Sequence, residues 1–473
     1  MVPVMSESTS GARLAEPPSC EPIAGSARRG HRRDLIAVAL AMPLVGAAVA
    51  VGMYFNRPGS GVNIYAFAPP LLGNWLPHVG PGSLFAVLIA VAVVAWGPAL
   101  AARWPWRLVL ALGYLVSLCW TFALALVDGW SRGFALRLTQ PTEYLHDVPG
   151  ITDIPLMLRQ FSSRILDFQP HSWTTHVAGH PPGATLVFVW LDRIGLGGGA
   201  WAATLCVVAG CLITVAVPAT LSLLGRRDAA RTVVLFAVLT PGAIWIGASA
   251  DGMFAGVTAA GIAFLALAAR TAGRWYSVAF ALLAGVLLGF GLFLSYGLVL
   301  LGLVALAVAI LGRQWQVVAL AALGALAVVG VFALAGFWWP DGYHLVVERY
   351  YQGIASVRPY SYWVWADVAA LAISVGPAVI AGVRRTVGDT FLIRPRRALI
   401  ANPVLLIVLA ALLTIVFADL SGLSKAEVER IWLPFAVWLL PATSLLPGGA
   451  SRWWLAAQAA TALLVNHLVL TNW

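Results

Sequence analysis

The sequence predicts an all-α integral membrane protein with about 13 transmembrane helices and a large external loop that carries short interfacial helices. Apolar residues make up 60% of the 473 residues and charged residues only 10%, whereas soluble domains average about 25% charged residues. The mean hydropathy is +0.87. Most of the charges lie between the apolar runs rather than within them.

The N-terminal segment differs in composition from the rest of the chain. Residues 1–33 are rich in Ser, Pro, Gly and Ala and end in the basic cluster 28–33. This composition predicts a disordered cytoplasmic tail. The apolar run that follows resembles the core of a signal peptide. Because further spans follow it, we interpret it as the first transmembrane helix of a polytopic domain at 34–473.

The apolar runs of this domain are long enough for spans, since a helix needs about 20 mostly apolar residues to cross a bilayer. They lie at residues 34–53, 83–101, 107–127, 200–224, 232–250, 252–270, 276–293, 297–312, 316–337, 362–383, 401–418, 431–447 and 453–471.

Arginine residues predict the orientation of these spans in the plasma membrane. A cytoplasmic N-terminus places most basic connections on the cytoplasmic side, as the positive-inside rule requires. The apolar segment 183–195 is predicted to be a short helix that enters the membrane from outside. A full span there would place the arginines that follow it on the external side. The cytoplasmic arginines are then Arg103, Arg226, Arg227, Arg231, Arg274, Arg313, Arg384, Arg385, Arg394, Arg396, Arg397 and Arg452.

The net charge of +10 does not indicate a nucleic-acid partner, because the basic residues form no patch with interleaved aromatic residues. Three histidines, His171, His176 and His180, are spaced like metal ligands. However, Pro181 and Pro182 argue against a helix through His180, and no cysteine is nearby. We therefore predict no metal ligand and no cofactor, with a divalent metal left as an alternative.

The external loop 128–199 contains the candidate catalytic residues. Asp128 lies where a span leaves the membrane, and Glu143 and Asp147 follow within the loop. A carboxylate at such an interface suits the removal of a proton from a hydroxyl. For Asp128 and Glu143, helix termination and a solvated loop charge are the structural alternatives. Tyr144 and His180, in the same loop, are predicted substrate contacts.

A second external segment, 338–361, carries Arg349 and Arg358 on the side where the positive-inside rule disfavours them. A bound phosphate would explain them, because a guanidinium group matches phosphate oxygens. Tyr350 and the neighbouring aromatic residues suit either the interfacial belt or a platform for a sugar ring.

The third external segment, 419–430, places Lys425, Glu427 and Arg430 at the mouth of an apolar span. Charge beside hydrocarbon is costly unless it is paired or used. A structural Glu–Arg pair and a phosphate contact are both consistent with this pattern. Tyr296, in the external hairpin 293–297, is a further predicted substrate contact.

These segments resemble the GT-C superfamily of membrane glycosyltransferases, which use polyprenyl-phosphate sugars. The likeness consists of a helix leading into an external loop with an Asp at its start, a Pro-Pro turn, and a helix ending in basic residues. It extends loosely over 107–270 and returns at 427–434. The strings at 127–130, 143–145, 179–183, 292–297 and 427–434 resemble most closely a group of actinobacterial methylthioxylosyltransferase-like proteins. The chain departs from the superfamily in having two helices and a carboxylate-free loop before this unit, and no paired carboxylates where the loop starts.

The resemblance implies an enzyme that moves a pentose or hexose from a polyprenyl-phosphate donor to a glycan or lipoglycan acceptor of the cell envelope. It implies single displacement with inversion, in which Asp128, Glu143 or Asp147 removes the acceptor's proton. The departing phosphate would be neutralised by basic groups, namely Arg349, Arg358, Lys425, Arg430 and His180.

The alternative functions are a transporter or flippase of a lipid-linked or small hydrophilic substrate, and a scaffold subunit whose site has decayed. Transporters tend to place ionisable groups near the membrane midplane on broken helices and to show repeated halves. In this sequence the helix centres carry almost no charge, which favours a transferase.

Overall fold

Eight helices of the computed structural model are long and apolar enough to cross a membrane, among the described residues 24–393 and 396–471. A ninth span results if one bent pair of helices is counted as a single crossing. The chain is therefore an all-α integral membrane protein, as predicted. The eight spans are Gly30–Phe55, Ser83–Arg103, Trp106–Asp128, Gly199–Leu223, Ala250–Arg270, Trp275–Leu294, Trp315–Leu334 and Pro403–Leu420.

The α-helices are numbered in chain order. The first thirteen are α1 (Ala24–Phe55), α2 (Ser83–Arg103), α3 (Trp106–Ala125), α4 (Tyr144–Asp147), α5 (Ile154–Gln160), α6 (Thr175–Gly179), α7 (Pro182–Arg193), α8 (Gly199–Gly210), α9 (Ile213–Leu223), α10 (Arg227–Val238), α11 (Ala243–Ile246), α12 (Ala250–Arg270) and α13 (Trp275–Leu294). The next ten are α14 (Gly302–Gly312), α15 (Trp315–Leu334), α16 (Trp339–Gln352), α17 (Tyr360–Val375), α18 (Pro377–Leu392), α19 (Arg396–Ile400), α20 (Pro403–Leu420), α21 (Val428–Ile431), α22 (Leu433–Ala436) and α23 (Ser451–Leu468).

Two short strands accompany the helices. Strand β1 (Gly73–Trp75) pairs antiparallel with β2 (Val469–Thr471), with Gly73 opposite Thr471. This pairing attaches the loop 54–82 to the segment that follows α23.

The remaining predicted spans are interrupted or too polar to pass as intact apolar helices. The run 232–250 ends its first helix at Val238, before Pro241, and 297–312 begins as the 3₁₀ helix Tyr296–Leu301. Similarly, 431–447 is divided between α22 and the 3₁₀ helix Val437–Leu445, which contains Pro441. Helix α23 carries buried Gln458 and Asn466. Proline lacks the amide proton that an α-helix needs, which explains the first and third interruptions.

The predicted span 362–383 is two helices, α17 and α18, bent by 112°. The break lies at Gly376, whose φ of 79° is in the left-handed region, followed by Pro377 at the start of α18. The side chain of Gln458 from α23 enters the break. Its Nε2 donates to the Val375 carbonyl at 2.8 Å, and its Oε1 accepts from the Ala378 amide at 3.0 Å. Backbone groups freed by a helix break must be satisfied within the protein when water is absent.

Helix α1 begins at Ala24, so the last ten residues of the predicted disordered segment are helical. The physical reason is that this end of α1 has partners in the bundle. Asp34 is fully buried and pairs with Arg385 at 2.6 Å and Arg384 at 3.2 Å, both on α18. The imidazole of His31 lies edge-on to Trp454. Residues 1–23, which hold the rest of the predicted tail, lie outside the described residues.

Several connections predicted to be cytoplasmic meet at one end of the bundle. Arg226 donates to Asn402 at 3.4 Å, and Arg231 donates to the Trp104 carbonyl at 3.0 Å. The grouping of these connections follows from the contacts, while their cytoplasmic orientation stays a prediction.

The segments predicted to be external meet one another as well. Helix α6, from the loop 128–199, contacts α16, and α17 contacts α21. The loop 54–82 joins them, because the Leu72 amide donates to Glu429 at 2.8 Å. The predicted membrane-entering helix at 183–195 is α7, whose face from Pro182 to Val189 is largely buried and contacts α13.

The role of Gln458 in closing the break between α17 and α18 is testable. Replacement by Leu leaves two buried backbone groups without partners, at a cost of about 1–3 kcal/mol each. We expect Gln458→Leu to lower the thermal unfolding midpoint of the detergent-purified protein well below that of wild type. Thr461→Val is the control, since Thr461 bonds only to the Ala457 carbonyl of its own helix. Equal midpoints for the two variants would contradict this role.

Candidate active site

Arg430 lies at the centre of a buried charge cluster. Its Nη1 donates to Asp251 at 2.7 Å, and its Nη2 donates to Glu427 at 2.6 Å and to His176 at 3.1 Å. Asp251 comes from the first turn of α12, His176 from α6, and Glu427 precedes α21. One guanidinium group therefore connects three parts of the chain that are distant in sequence.

The protonation of His176 follows from its partners. A guanidinium group only donates, so the Nε2 of His176, which receives the Arg430 contact, carries a lone pair. The Nδ1 then carries the proton and donates to the Thr142 carbonyl at 2.8 Å. Glu143 Oε1 lies 3.4 Å from the same nitrogen. The Nδ1 of His176 therefore lies between the Thr142 carbonyl and the Glu143 carboxylate.

Glu143 lines a small cavity with a volume of about 10 Å³, which is room for about one water molecule. Two of the groups that line it have buried polar atoms with no hydrogen-bond partner among the described residues, Tyr144 Oη and Arg430 Nε. Unsatisfied buried donors are rare in native structures and mark a place where a ligand or water binds. The cavity is lined by Leu138, Glu143, Tyr144, His176, Ser249, Ala250, Asp251 and Arg430.

Glu427 is held in a strained turn. Ala426 and Glu427 have φ values of 71° and 66°, in the left-handed region that non-glycine residues rarely adopt. The Ala426 amide donates to buried Asp367 at 3.2 Å. Burial alone would raise the pKa of Glu427, but the cations Arg430 and Arg358 outweigh it and lower the pKa to about 2. Glu427 is therefore ionised at neutral pH. Local strain of this kind is typical of functional sites.

Glu429 lies in α21 and contacts the loop 54–82. It is buried, and its Oε1 accepts from the Leu72 amide. Its Oε2 has no partner within the described part of the chain. Burial raises the pKa of Glu429 to about 7.

Both carboxylate oxygens of the predicted catalytic residue Asp128 are engaged by side chains of the protein, His78 and Arg137. His78 Nε2 lies 2.6 Å from its Oδ1, and Arg137 donates to its Oδ2 at 3.0 Å. The other nitrogen of His78 faces the Leu76 carbonyl at 2.6 Å. Asp128 thus connects the loop 54–82 to the start of the loop 128–199.

Asp147 also has an internal partner. Its Oδ2 accepts from the amide and the hydroxyl of Thr174, each at 2.9 Å. Thr174 directly precedes α6, so Asp147 positions the helix that carries His176. Of the three predicted catalytic carboxylates, only Glu143 lines the cavity.

Tyr144 and His180 lie beside the charge cluster. The Tyr144 ring is within 5.2–6.0 Å of the rings of His176, His180 and Phe188. Burial lowers the pKa of His180 to about 4, and its Nδ1 donates to the His176 carbonyl at 2.8 Å. His180 is therefore neutral at pH 7 with a lone pair on Nε2. Because of this, it lacks the positive charge that the sequence analysis assigned to it.

The other predicted substrate contacts are engaged within the protein. Arg349 pairs with Asp167, and Lys425 Nζ donates to the Ala355 carbonyl at 2.9 Å. The hydroxyl of Tyr350 accepts from the Lys425 amide at 2.9 Å. Arg358 is buried and donates to three backbone carbonyls, Ile64, Tyr65 and Lys425, and to Glu427 at 3.3 Å.

Tyr296 lies in an aromatic group apart from these contacts. Its ring is 5.4 Å from that of Trp339 and 6.0 Å from that of Tyr343. Its hydroxyl is buried without a hydrogen-bond partner in the described residues.

Two members of the site were not predicted, Asp251 and Ser249, and His176 had been considered only as a metal ligand. The signal for Asp251 was present, since it is a lone carboxylate between two apolar runs. Within residues 24–393 and 396–471, no group of three or more His, Cys, Asp or Glu residues is arranged to hold a metal ion.

No protein-family model matches the chain, and no curated protein matches it. Solved structures of an oligosaccharyltransferase from Archaeoglobus fulgidus do match. The apo form is 13% identical with a TM-score of 0.48, covering 78% of this chain and 56% of that one. A form tethered to an acceptor peptide is 14% identical with a TM-score of 0.43, covering 73% and 49%. A complex with an inhibitory peptide and a dolichol-phosphate is 13% identical with a TM-score of 0.35, covering 75% and 49%.

This chain spans about half the length of those structures. At this identity and with TM-scores below 0.5, the likeness is too distant to assign a family or a function.

Removal of Arg430 tests the charge cluster. In Arg430→Met, Asp251 and Glu427 lose their cation, and breaking a buried pair in this way costs about 3–5 kcal/mol. We expect a large fall in the free energy of unfolding. The control is Arg349→Met, because Asp167 has 36% of its side chain exposed and exposed pairs contribute about 0–1 kcal/mol. Similar losses in both variants would argue against a buried cluster.

The neutrality of His180 predicts a pH dependence of stability. The folded-state pKa of about 4 lies below the usual value of 6.5. The unfolded chain therefore binds the extra proton between these values, so stability is full above about pH 6.5 and falls as the pH drops towards 4. The slope from one proton is at most about 1.4 kcal/mol per pH unit. We expect His180→Asn to reduce this slope in chemical unfolding, whereas His171→Asn, at an exposed histidine, should leave it unchanged.

Proposed function

We propose that the chain is a membrane glycosyltransferase of GT-C type that moves a sugar from a polyprenyl-phosphate donor to a hydroxyl of a cell-envelope glycan or lipoglycan. One observation supports this most strongly. A buried carboxylate, Glu143, lines the same small cavity as Arg430 and Tyr144, whose Nε and Oη have no hydrogen-bond partner among the described residues. A base and an electrostatic stabiliser at one site are what a displacement at an anomeric carbon requires.

In the proposed reaction, an oxygen of the acceptor attacks the anomeric carbon of the sugar. The acceptor's proton passes to Glu143, and the bond from the anomeric carbon to the phosphate oxygen breaks on the opposite face. The bonding electrons leave with the polyprenyl phosphate, whose developing charge is stabilised by Arg430. The product has inverted configuration. At about 10 Å³ the cavity is too small for a sugar, so the side chains around it must move apart to admit the substrates.

Glu143 is the favoured base because of its surroundings. The oxygens of Asp128 are occupied by His78 and Arg137, and Asp147 accepts two hydrogen bonds from Thr174. A substrate hydroxyl would have to displace these partners. Glu143 lines the cavity, and its carboxylate lies 3.4 Å from His176 Nδ1.

The setting of the site suits a donor that stays in the bilayer. The cluster lies where the segments 128–199, 338–361 and 419–430 meet, at the ends of apolar spans. The lipid chain of the donor would lie against the apolar outer surface of the bundle, and its phosphate would reach Arg430. We propose that this end faces outside and that the N-terminus is in the cytoplasm of a plasma-membrane protein.

A transporter or flippase is favoured by one feature, the broken helix α17–α18, since transporters bind substrates at such breaks. In this protein, however, the break is filled by Gln458, which satisfies both free backbone groups. The unsatisfied donors lie instead beside Glu143. We therefore favour the transferase.

The test is transfer of radiolabelled sugar from a polyprenyl-phosphate donor to an envelope glycan fraction by purified protein. Glu143→Gln keeps the size of the side chain and removes the base, so we expect a loss of rate of about 10²–10⁴-fold with the donor still bound. The control is Asp153→Asn in the same loop, where Asp153 caps α5 and Asn caps equally well.

Full activity of Glu143→Gln would exclude this residue as the base. If wild-type protein transfers no sugar but moves a labelled lipid-linked sugar across a vesicle membrane, the transporter function replaces the proposal.

A further inference from the structure

An open groove of about 480 Å³ lies between the segment 162–169 and helix α16. Its polar lining consists of Ser162, Ser163, Gln169, Asp341 and His344, together with two leucines. Its volume is in the range of ordinary ligand sites, about 300–1,000 Å³. None of these residues takes part in the charge cluster around Arg430, so the groove is a second feature of the same end of the protein.

The two walls of the groove are connected to each other. Asp167 pairs with Arg349 of α16, and the Asp167 amide donates to Gln352 Oε1 at 2.7 Å. An ion pair and a hydrogen bond therefore join the two walls of the groove. Arg349 was predicted to contact phosphate. In the structure it pairs with Asp167 and so joins α16 to the opposite wall of the groove.

The loop that forms one wall of the groove carries an aromatic side chain that is exposed on the protein surface. Phe168, between groove residues Leu166 and Gln169, is 84% exposed and has a φ of 63°. For a bulky residue, this left-handed conformation is an outlier that the surroundings must maintain.

The surroundings of this loop are well ordered. Ser172 Oγ donates to the Leu166 carbonyl at 2.7 Å and accepts from the Gln169 amide at 3.2 Å. Arg164 Nε donates to the His171 carbonyl at 2.7 Å, and its guanidinium group lies 3.3 Å from the Trp173 ring centroid. These contacts hold the residues on both sides of exposed Phe168.

Hydroxyl, amide, carboxylate and imidazole groups beside an exposed aromatic ring form a lining that suits carbohydrate, since sugars present hydroxyls at their edges and apolar faces to rings. The groove contains a carboxylate, Asp341, and no Lys or Arg among its lining residues. This disfavours anionic ligands such as phosphates and uronic acids.

We propose that this groove binds the neutral sugar chain of the acceptor, with Phe168 stacking against one sugar ring and Asp341 accepting from hydroxyls. The position fits, because α16 contacts α6, which carries His176 of the charge cluster. This inference rests on the proposed function only in naming the glycan an acceptor. Binding of a neutral oligosaccharide at the groove does not require that function.

The first experiment measures binding without donor. Saturation-transfer NMR on the detergent-purified protein uses neutral linear mannose and arabinose tetrasaccharides, and the same chains with one terminal uronic acid. We expect at least one neutral tetrasaccharide to bind and its uronic-acid form to bind more weakly. Asp341→Asn should reduce the difference in binding between the neutral and the acidic tetrasaccharide, because it removes the negative charge that repels the uronic acid. Equal binding of the neutral and acidic forms by wild type, or binding of neither, would overturn the proposal.

The second experiment measures kinetics. Phe168→Ala should raise KM for the glycan acceptor about tenfold, with kcat and the KM for the polyprenyl-phosphate donor within twofold of wild type. The matched control is Phe391→Ala, another exposed phenylalanine (73%), on α18. An unchanged acceptor KM in Phe168→Ala would contradict binding of the acceptor glycan in the groove. A change only in the donor KM would make Phe168 a membrane anchor instead.

These results separate the groove from the proposed function. If wild type binds the tetrasaccharide but transfers no sugar to any acceptor, the function fails and the groove stands. If transfer depends on Glu143 but not on Phe168, the groove fails and the function stands.

Discussion

The ion pairs of Arg430 with Asp251 and Glu427 are the constraint on which the arrangement of the site depends. Charges in a poorly hydrated environment are tolerated only when paired, and removing one partner leaves the others at high cost. Because the three groups come from the segment 419–430 and the first turn of α12, their pairing fixes these elements relative to one another. His176 adds α6 to the same arrangement. The cavity beside Glu143 is a consequence of that fixed geometry.

A second set of contacts supports the first. Arg358 donates to carbonyls of the loop 54–82 and of Lys425, and also to Glu427. Asp367 holds the strained residue Ala426 through its amide. Glu427 is thus oriented from both sides, by a cation and by the backbone turn that precedes it. Supporting contacts of this kind hold functional groups in one geometry.

The sequence predicted the fold class, because the length and apolarity of its runs report directly on the solvent around them. It also predicted that Arg358 and Arg430 need partners. For Arg430 it left a Glu–Arg pair as one alternative, and Glu427 forms that pair. It did not predict the pairing of Arg430 with Asp251, 179 residues away, because that contact depends on the three-dimensional fold. The contact of Asp128 with His78, in the loop 54–82, was not predicted for the same reason. The interrupted spans carry visible proline and glycine signals, but the bend at Gly376 depends on Gln458.

The contact of Gln458 with the break between α17 and α18 has a consequence for the synthesis and insertion of the protein. The Val375 carbonyl and the Ala378 amide emerge from the ribosome about 80 residues before the side chain that satisfies them. Until α23 has been synthesised and inserted, α17 and α18 enter the bilayer with exposed backbone groups at their junction, which hydrocarbon does not tolerate well. Final placement of this helix pair is therefore a late step of biogenesis. A nascent chain that stops short of residue 458 would present an incomplete junction to membrane quality control.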